Sequence, residues 1–589
     1  MALAAAVTAA VLAVTGCTGQ VEVVDGTEVT VATSQAFYSY NGNTSYGSNP
    51  TANGAIIAAT NSQFVSYDAV PELVADESFG TVDVVSEDPL TVEYTIADGV
   101  TWSDGVPVDA ADLLLAWAAN SGALNTPDFD DSQYLDPATQ QYTDDFPKDV
   151  VFFDGSSGGG LQLVTQTPEL SDDGQSITLI YDGYFVDWNL VFGVGLPAHV
   201  VAMNALDIDD ADKAKTAMIE AIQDADASAL APISRFWNSG FNFTETPAPD
   251  LLVSTGPYTI TELAADHATL EANARYRGEH RPAYEKVTVR YISEPLQSVQ
   301  ALADGDVDVI APQPTEDVAQ ALVDIDGITV ASGFDGGYER LDLQFDNGRS
   351  GVFSDPRVRR AFLKVVPRQL ILDQLVVPLQ EEAQLRSSQV FLPGSDEYED
   401  SVESNGSEEY REVDIDTAKQ LLGEAGIQNP EVCVLFDPAN PRRLTEFQLI
   451  QASAARAGFA VTDCSSPDWR DLLGVPGQYD ASLYALRTTN LAVTAVRASF
   501  GSSDGVNNTS FYANPEVDAL LDQLDVADDK DQQVDLLTEI DRLVWADAFG
   551  VPLYQFPSIT AFRSDVTGVA PSPLAPGVLW NVWDWRPAG

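Results

Sequence analysis

Gly155-Ser156-Ser157-Gly158-Gly159 has the spacing of a strained serine nucleophile, G-x-S-x-G. Such a serine needs a buried strand before it and a helix after it, so that its hydroxyl stands exposed on a sharp turn. Here it sits in DGSSGGG, a flexible glycine–serine loop, and hydrolysis is not expected. The chain has three histidines, His199, His267 and His280, with no metal-ligand spacing between them. It has no phosphate-cradling Walker A sequence, so any ATP hydrolysis belongs to another subunit. The acids from Asp207 to Asp212 lack the glycine and register of a calcium loop. No metal and no cofactor is therefore expected, and the reading turns from catalysis to binding.

The 589 residues are too many for one core, so two or three domains are expected. With 90 acidic residues against 29 basic, the net charge is -61. Nucleic acid and anionic lipid headgroups would be repelled. The acids form a solvated, salt-tolerant surface or, alternatively, a site that selects cationic ligands. The first stretch, MALAAAVTAAVLAVTG, is apolar and too short to span a bilayer comfortably, which fits the apolar region of a secretion signal. It ends in Val14-Thr15-Gly16-Cys17, which resembles the lipobox of bacterial lipoproteins. The resemblance implies acylation of Cys17 and a lipid anchor on the outer face of a bacterial cell membrane. No Lys or Arg precedes the apolar run, so the recorded start falls inside a longer signal or the signal is atypical.

The elements that would shape a binding site follow. EVTVAT alternates as a strand does, and residues 36–54 form a polar, aromatic, turn-rich loop suited to a ligand site or an edge cap. In TIADGVTWSDGVPVDAADLLLAW (95–117), a strand leads into two Asp-Gly turns. Asp109 is placed to cap a helix whose Leu113, Leu114 and Trp117 share one face. EVCVLF and FAVTDC read as strands on either side of one helix, a unit that favours a parallel sheet. Cys433 and Cys464 then lie on neighbouring strands, and a disulfide is expected in an oxidising exterior.

The 95–117 cassette resembles the signature region of the family 5 extracellular solute-binding proteins, the peptide-binding subunits of ABC importers. Gly99, Trp102, Asp104, Gly105, Pro107, Val108, Ala110 and Asp112 match its G-x-x-[FW]-x-[DN]-G-x-P-[VL]-x-A-x-D pattern. Further landmarks stand in the family's order: LPAHVV at 196–201, STGPYTI at 254–260, LADGDVDVI at 302–310 and LDLQFDNGRSGVFSDPRVRRAFLKVV at 341–366. DIDTAKQLLGEAGI at 414–427 and NNTSFYANPEVDALL at 507–521 complete the series.

The resemblance implies an α/β, two-lobed fold of the periplasmic-binding-protein class II type with an additional small α+β domain. Residues 1–26 would be signal peptide, lipobox and tether. Residues 27–65, 180–285 and 550–589 would form a discontinuous lobe I, 66–179 the inserted domain, and 286–549 lobe II. The expected partners are a peptide or other small solute, an ABC permease and ATPase, and the membrane through the lipid anchor, with the protein itself a monomer. Opines, sugars, or peptide sensing without import remain as alternatives.

In this family an aspartate of the third lobe often holds a peptide's ammonium. The nearest position here is Thr489, so that aspartate is absent and another acid, or another ligand, must take its place. Arg487 is expected to meet a ligand carboxylate or carbonyl. The other candidate ligand contacts are Tyr38, Tyr40, Asn41 and Asn43 in the first loop, Trp237, Tyr338, Thr489 and Asn490.

Overall fold

Alternation of apolar residues decides which face of each strand is buried, and ten strands here join one sheet. A computed structural model describes residues 23–48, 52–68, 73–136, 141–143, 145–155, 160–243, 247–487, 493–503, 505, 507–571 and 577–588. Cys17, Ser156, Ser157, Thr489 and Asn490 lie outside the described residues. In chain order the strands are β1 (Val24–Thr33), β2 (Tyr258–Leu263), β3 (His267–Ala272), β4 (Tyr284–Tyr291), β5 (Val309–Ile310), β6 (Ile328–Leu343), β7 (Glu431–Leu435), β8 (Ala460–Asp463), β9 (Ala481–Arg487) and β10 (Gly550–Arg563). Their spatial order is β8-β7-β9-β6-β10-β5-β1-β4-β3-β2.

On one side β1 runs parallel to β4 and β5, with Val29 opposite Val287 and Val31 opposite Val289 and Val309. On the other side β7 runs parallel to β8 and β9. Helices cover both groups, as buried parallel strands require. Two long antiparallel strands, β6 and β10, join the groups. Residues 328–334 of β6 pair with 557–563 of β10, beside β5. Residues 338–342 of β6 pair with 550–555 of β10, beside β9. Between these two ladders β6 carries Asp335, Gly336 and Gly337 where β10 carries only Phe556. Extra residues on one strand break the ladder locally, bend it and increase its twist. The change of sheet neighbours thus falls at 334–338 and 555–557. β4 and β5 pair with β1, and the helices Pro295–Asp304 and Glu316–Val323 pack on Ala32, Ile559 and Ala561. Local pattern marks a strand but not the sheet neighbour it chooses.

A separate four-stranded antiparallel sheet holds Gly80–Glu87, Leu90–Ile96, Ser176–Ile180 and Glu169–Leu170. It shares one apolar core with β1, through Val92, Tyr94, Leu179, Val29 and Val31 among others. The 95–117 cassette fastens this sheet to its neighbours. Gly99 and Gly105 take positive φ at the two turns. Asp109 and Asp112 form a reciprocal capping box on the helix Ala110–Asn120. Asp112, fully buried, also accepts from Ala198 N (2.8 Å), and Lys215 Nζ lies 3.0 Å from both Asp109 and Asp112. His199 Nε2 stands 2.9 Å from Asp104 Oδ2. The signature acids therefore take their partners, His199 and Lys215, from the next helices. His199 packs here as part of the frame.

The structure joins Cys433 of β7 to Cys464, just beyond β8, with Cα atoms 5.5 Å apart. Two measurements check these ties. Alkylation of residues 18–589 without reductant should add no mass, and alkylation after reduction should add two adducts. Lys215→Met removes the ion-pair partner of buried Asp112 and half-buried Asp109 and should destabilise the fold by about 3–5 kcal/mol in urea titrations.

Candidate functional site

Ligands of parallel α/β sheets sit beyond the carboxyl ends of the strands, where loops and helix starts converge. β5 and β7 approach the gap from opposite sides of the sheet, and the residues just past them line one cavity. Its volume is about 520 Å³, within the range that holds a small molecule or short peptide. Gln313, Pro314, Thr315 and Glu316 follow β5 and form one wall. Asp437, Ala439, Asn440, Pro441 and Arg442 follow β7 and form the facing wall. Leu375, Pro378 and Leu379, at the end of the helix Arg368–Leu375, supply an apolar side.

The sequence builds the second wall by ordinary means. Asn440 caps the helix Pro441–Ala455, accepting from Arg442 N and Arg443 N, and Pro441 at the first position gives up no hydrogen bond. This cap places Arg442 beside the β6–β10 pair. Its guanidinium lies over the Phe556 ring at 4.6 Å, beside the break in the β6–β10 ladder. Glu339 of β6, fully buried, binds Arg443 Nε at 2.8 Å and reaches Arg442 Nη2 at only 3.4 Å. Arg442 Nε is buried and makes no hydrogen bond. Glu446 completes the cluster. Burial, then the neighbouring Glu339, holds its carboxyl well above the usual carboxylate range, and it accepts from the Tyr554 hydroxyl. Glu339 is thus shared between two guanidinium groups and held more closely by Arg443, and Arg442 brings a loosely paired positive charge to the cavity wall. Glu316 and Asp437 bring negative charge to the same cavity, and neither has an ion-pair partner among the described residues. Asp437 Oδ1 accepts from Ala439 N at 2.9 Å.

Side chains on the β7–β9 side pack around the β6–β10 bulge. Arg340 pairs with Asp342 at 2.6 Å and donates to the Tyr338 hydroxyl, and Arg386 lies over the Tyr338 ring at 3.9 Å. Arg386 also donates to Gln555 Oε1, while Gln555 Nε2 donates to Asp335 O within the bulge.

The sequence candidates fall into two groups, neither of which lines the cavity. Tyr40 is buried and its hydroxyl bonds Thr60 and Asn61. Asn41 is buried, donates to Trp237 O and accepts from Asn43 N. Trp237 is buried against Phe153, and half-buried Tyr38 donates to Tyr46 O. These residues knit the first loop to the helix Ala227–Ser239. The second group is at the hinge, where Tyr338 is fully buried and pairs in register with Leu486. Arg487 Nη2 lies 2.9 Å from both oxygens of Asp335. Sequence reasoning passed over Glu316, Asp437, Asn440 and Arg442. The signal for three of them was present: a strand, VCVLF, followed by Asp-Pro and an Asn-Pro cap, places those residues at the carboxyl end of a parallel strand.

Among the described residues no group of three or more His, Cys, Asp or Glu is arranged to hold a metal ion, and no helix is long and apolar enough to cross a membrane. Comparison with known proteins then places the architecture. An uncharacterized lipoprotein of Mycobacterium tuberculosis is 28% identical over 600 residues, spanning 97% of this chain and 94% of its own. The periplasmic EDTA-binding protein EppA superposes with a TM-score of 0.74 at 22% identity, over 95% of this chain and 96% of its own. The oligopeptide-binding protein AppA from Bacillus subtilis, solved with a nonapeptide, superposes with a TM-score of 0.62 at 16% identity, over 95% and 99%. These likenesses give the chain the two-lobed fold of such binding proteins. Residues 68–514 match the bacterial extracellular solute-binding proteins, family 5, and to that family this chain belongs.

Proposed function

We propose that this protein captures short peptides, or closely related solutes carrying both an amine and a carboxylate, between two lobes and passes them intact to an ABC permease and its ATPase. The observation that carries the reading is the 520 Å³ cavity, walled on one side by residues following β5 and on the other by residues following β7. We place the lobe division at the β6–β10 bulge, so that the cavity lies at the hinge and closing the lobes buries its contents. Neither a nucleophile–base pair nor a metal is needed for this role.

Charge narrows the ligand class. The relatives in hand bind ligands as different as EDTA and a nonapeptide. A polycarboxylate would meet one cation, Arg442, and two carboxylates, Glu316 and Asp437, inside a protein of net charge -61. A zwitterion satisfies both signs, its carboxylate at Arg442 and its ammonium near Glu316 and Asp437. The latter two would then replace the aspartate missing near position 489. Acylation of Cys17 would hold the receptor at the outer face of the membrane, as the lipoprotein name of its mycobacterial relative supports.

Native mass spectrometry of freshly purified protein should reveal a bound small molecule that leaves with unchanged mass; a hydrolysed product would overturn the reading. In calorimetry with tri- to penta-alanine, Arg442→Ala should weaken binding by about 1.5–3 kcal/mol, the usual worth of a charge-assisted hydrogen bond. EDTA should bind more weakly than the peptides. Stronger EDTA binding would reverse the ligand class while leaving the interlobe site in place. In a bacterial host, Cys17→Ala should move the protein from the membrane fraction to the medium or periplasm.

A further inference from the structure

The helix Val493–Phe500 lies on the β7–β9 side, packed with Phe345, Tyr512 and Phe549. Its first free N–H groups are capped by a residue some 306 positions earlier in the chain. Asp187 Oδ1 accepts from Val493 N at 2.9 Å, and Asp187 Oδ2 accepts from Thr494 N at 2.8 Å and from the Thr494 hydroxyl. Asp187 is only 4% exposed. The residues around it divide between two cores. Tyr181, Phe185 and Phe192 belong to the core that contains β1, whereas Val186 is buried with Val496, Phe500 and Tyr512 across the gap. A capping carboxylate usually comes from the residue just before its helix. Here it reaches across from the other side of the hinge.

We infer that Asp187 is a clasp: a positioning residue whose bonds to Val493 and Thr494 exist only when the lobes are closed, and which thereby sets how long a solute stays enclosed. The inference rests on the reading of two lobes closing over the cavity. Opening strips a buried carboxylate of three donors and leaves the helix start without its acceptor, while Val186 is drawn out of an apolar site. The clasp is a second tie between the lobes besides the β6–β10 hinge, and it makes no contact with the cavity wall described above. It therefore acts on retention and not on recognition.

The test compares the full chain with Asp187→Ala and Asp187→Asn. Spin labels are attached through ketone-bearing amino acids at positions 323 and 526, exposed sites on either side of the hinge, which leaves the cysteines untouched. Pulsed electron resonance then reads the interlobe distance without solute and with tetra-alanine. In wild type a short, closed distance should be populated. Asp187→Ala should lower that population about tenfold and speed tetra-alanine release by a similar factor, and Asp187→Asn, which keeps one acceptor oxygen, should recover part of the loss. A closed population equal in wild type and Asp187→Ala would overturn the clasp, as would a wild type that shows only an open distance. A merely structural role would lower thermal stability in Asp187→Ala without moving the distance distribution, and the milder Asp187→Asn keeps this outcome readable should the alanine variant unfold. If wild type shows one unchanging distance in both conditions and still binds tetra-alanine, the closure reading itself fails, a result distinct from loss of the clasp alone.

Discussion

The joint between two strands, β6 and β10, is the constraint on which the rest of this molecule depends. Among the described residues, only β6 and β10 carry the ten-stranded sheet from one side to the other, and their pairing is interrupted at Asp335–Gly337 opposite Phe556. An unbroken antiparallel pair resists bending because each residue would lose ladder bonds. The larger of two register shifts, three residues of β6 against one of β10, bends and twists the pair locally, and a smaller one leaves Leu553 without a partner between Glu339 and Arg340. Gln555 ties the bulge carbonyl of Asp335 to Arg386, and Arg487 ties the Asp335 carboxylate to the end of β9.

The distribution of positive charge follows the same logic. In a chain with 29 basic residues, several are buried at joints: Lys215 under the signature cassette, Arg340 and Arg386 beside the hinge, and Arg443 against Glu339. Buried ion pairs contribute little net stability over apolar packing, but losing one partner is costly, so they specify which elements meet. Glu316 and Asp437 in the cavity have no ion-pair partner among the described residues. Arg442 is partly exposed at the cavity wall, and its nearest acid, Glu339, is held more closely by Arg443.

Legibility in the sequence tracked distance along the chain. The turns at Gly99 and Gly105 and the cap at Asp109 could be read because each is decided within a few residues. The strand–helix–strand unit that brings Cys433 near Cys464 was legible for the same reason. The ordered motifs were enough to identify the family. The partition of strands between the two sides was not legible, since Val287 and Val309 alternate the same way whichever sheet receives them. Tyr40, Asn41 and Trp237 were singled out because polar aromatic loops often meet ligands; the structure shows Tyr40 bonded to Thr60 and Asn61, and Asn41 to the Trp237 carbonyl, partners that the sequence does not reveal. Arg442 was passed over because the residues that meet it, Glu339 and Phe556, lie more than a hundred residues away on either side.

The central claim is that a solute lies unaltered at the hinge, touched from both sides at once. A crystal structure of the protein grown with tetra-alanine tests this most directly. The account predicts intact peptide density in the cavity, its carboxylate within hydrogen-bond reach of Arg442 and its other end against the wall that runs from Gln313 to Glu316. Peptide bound on only one side of the β6–β10 bulge, or a cleaved peptide, would contradict it.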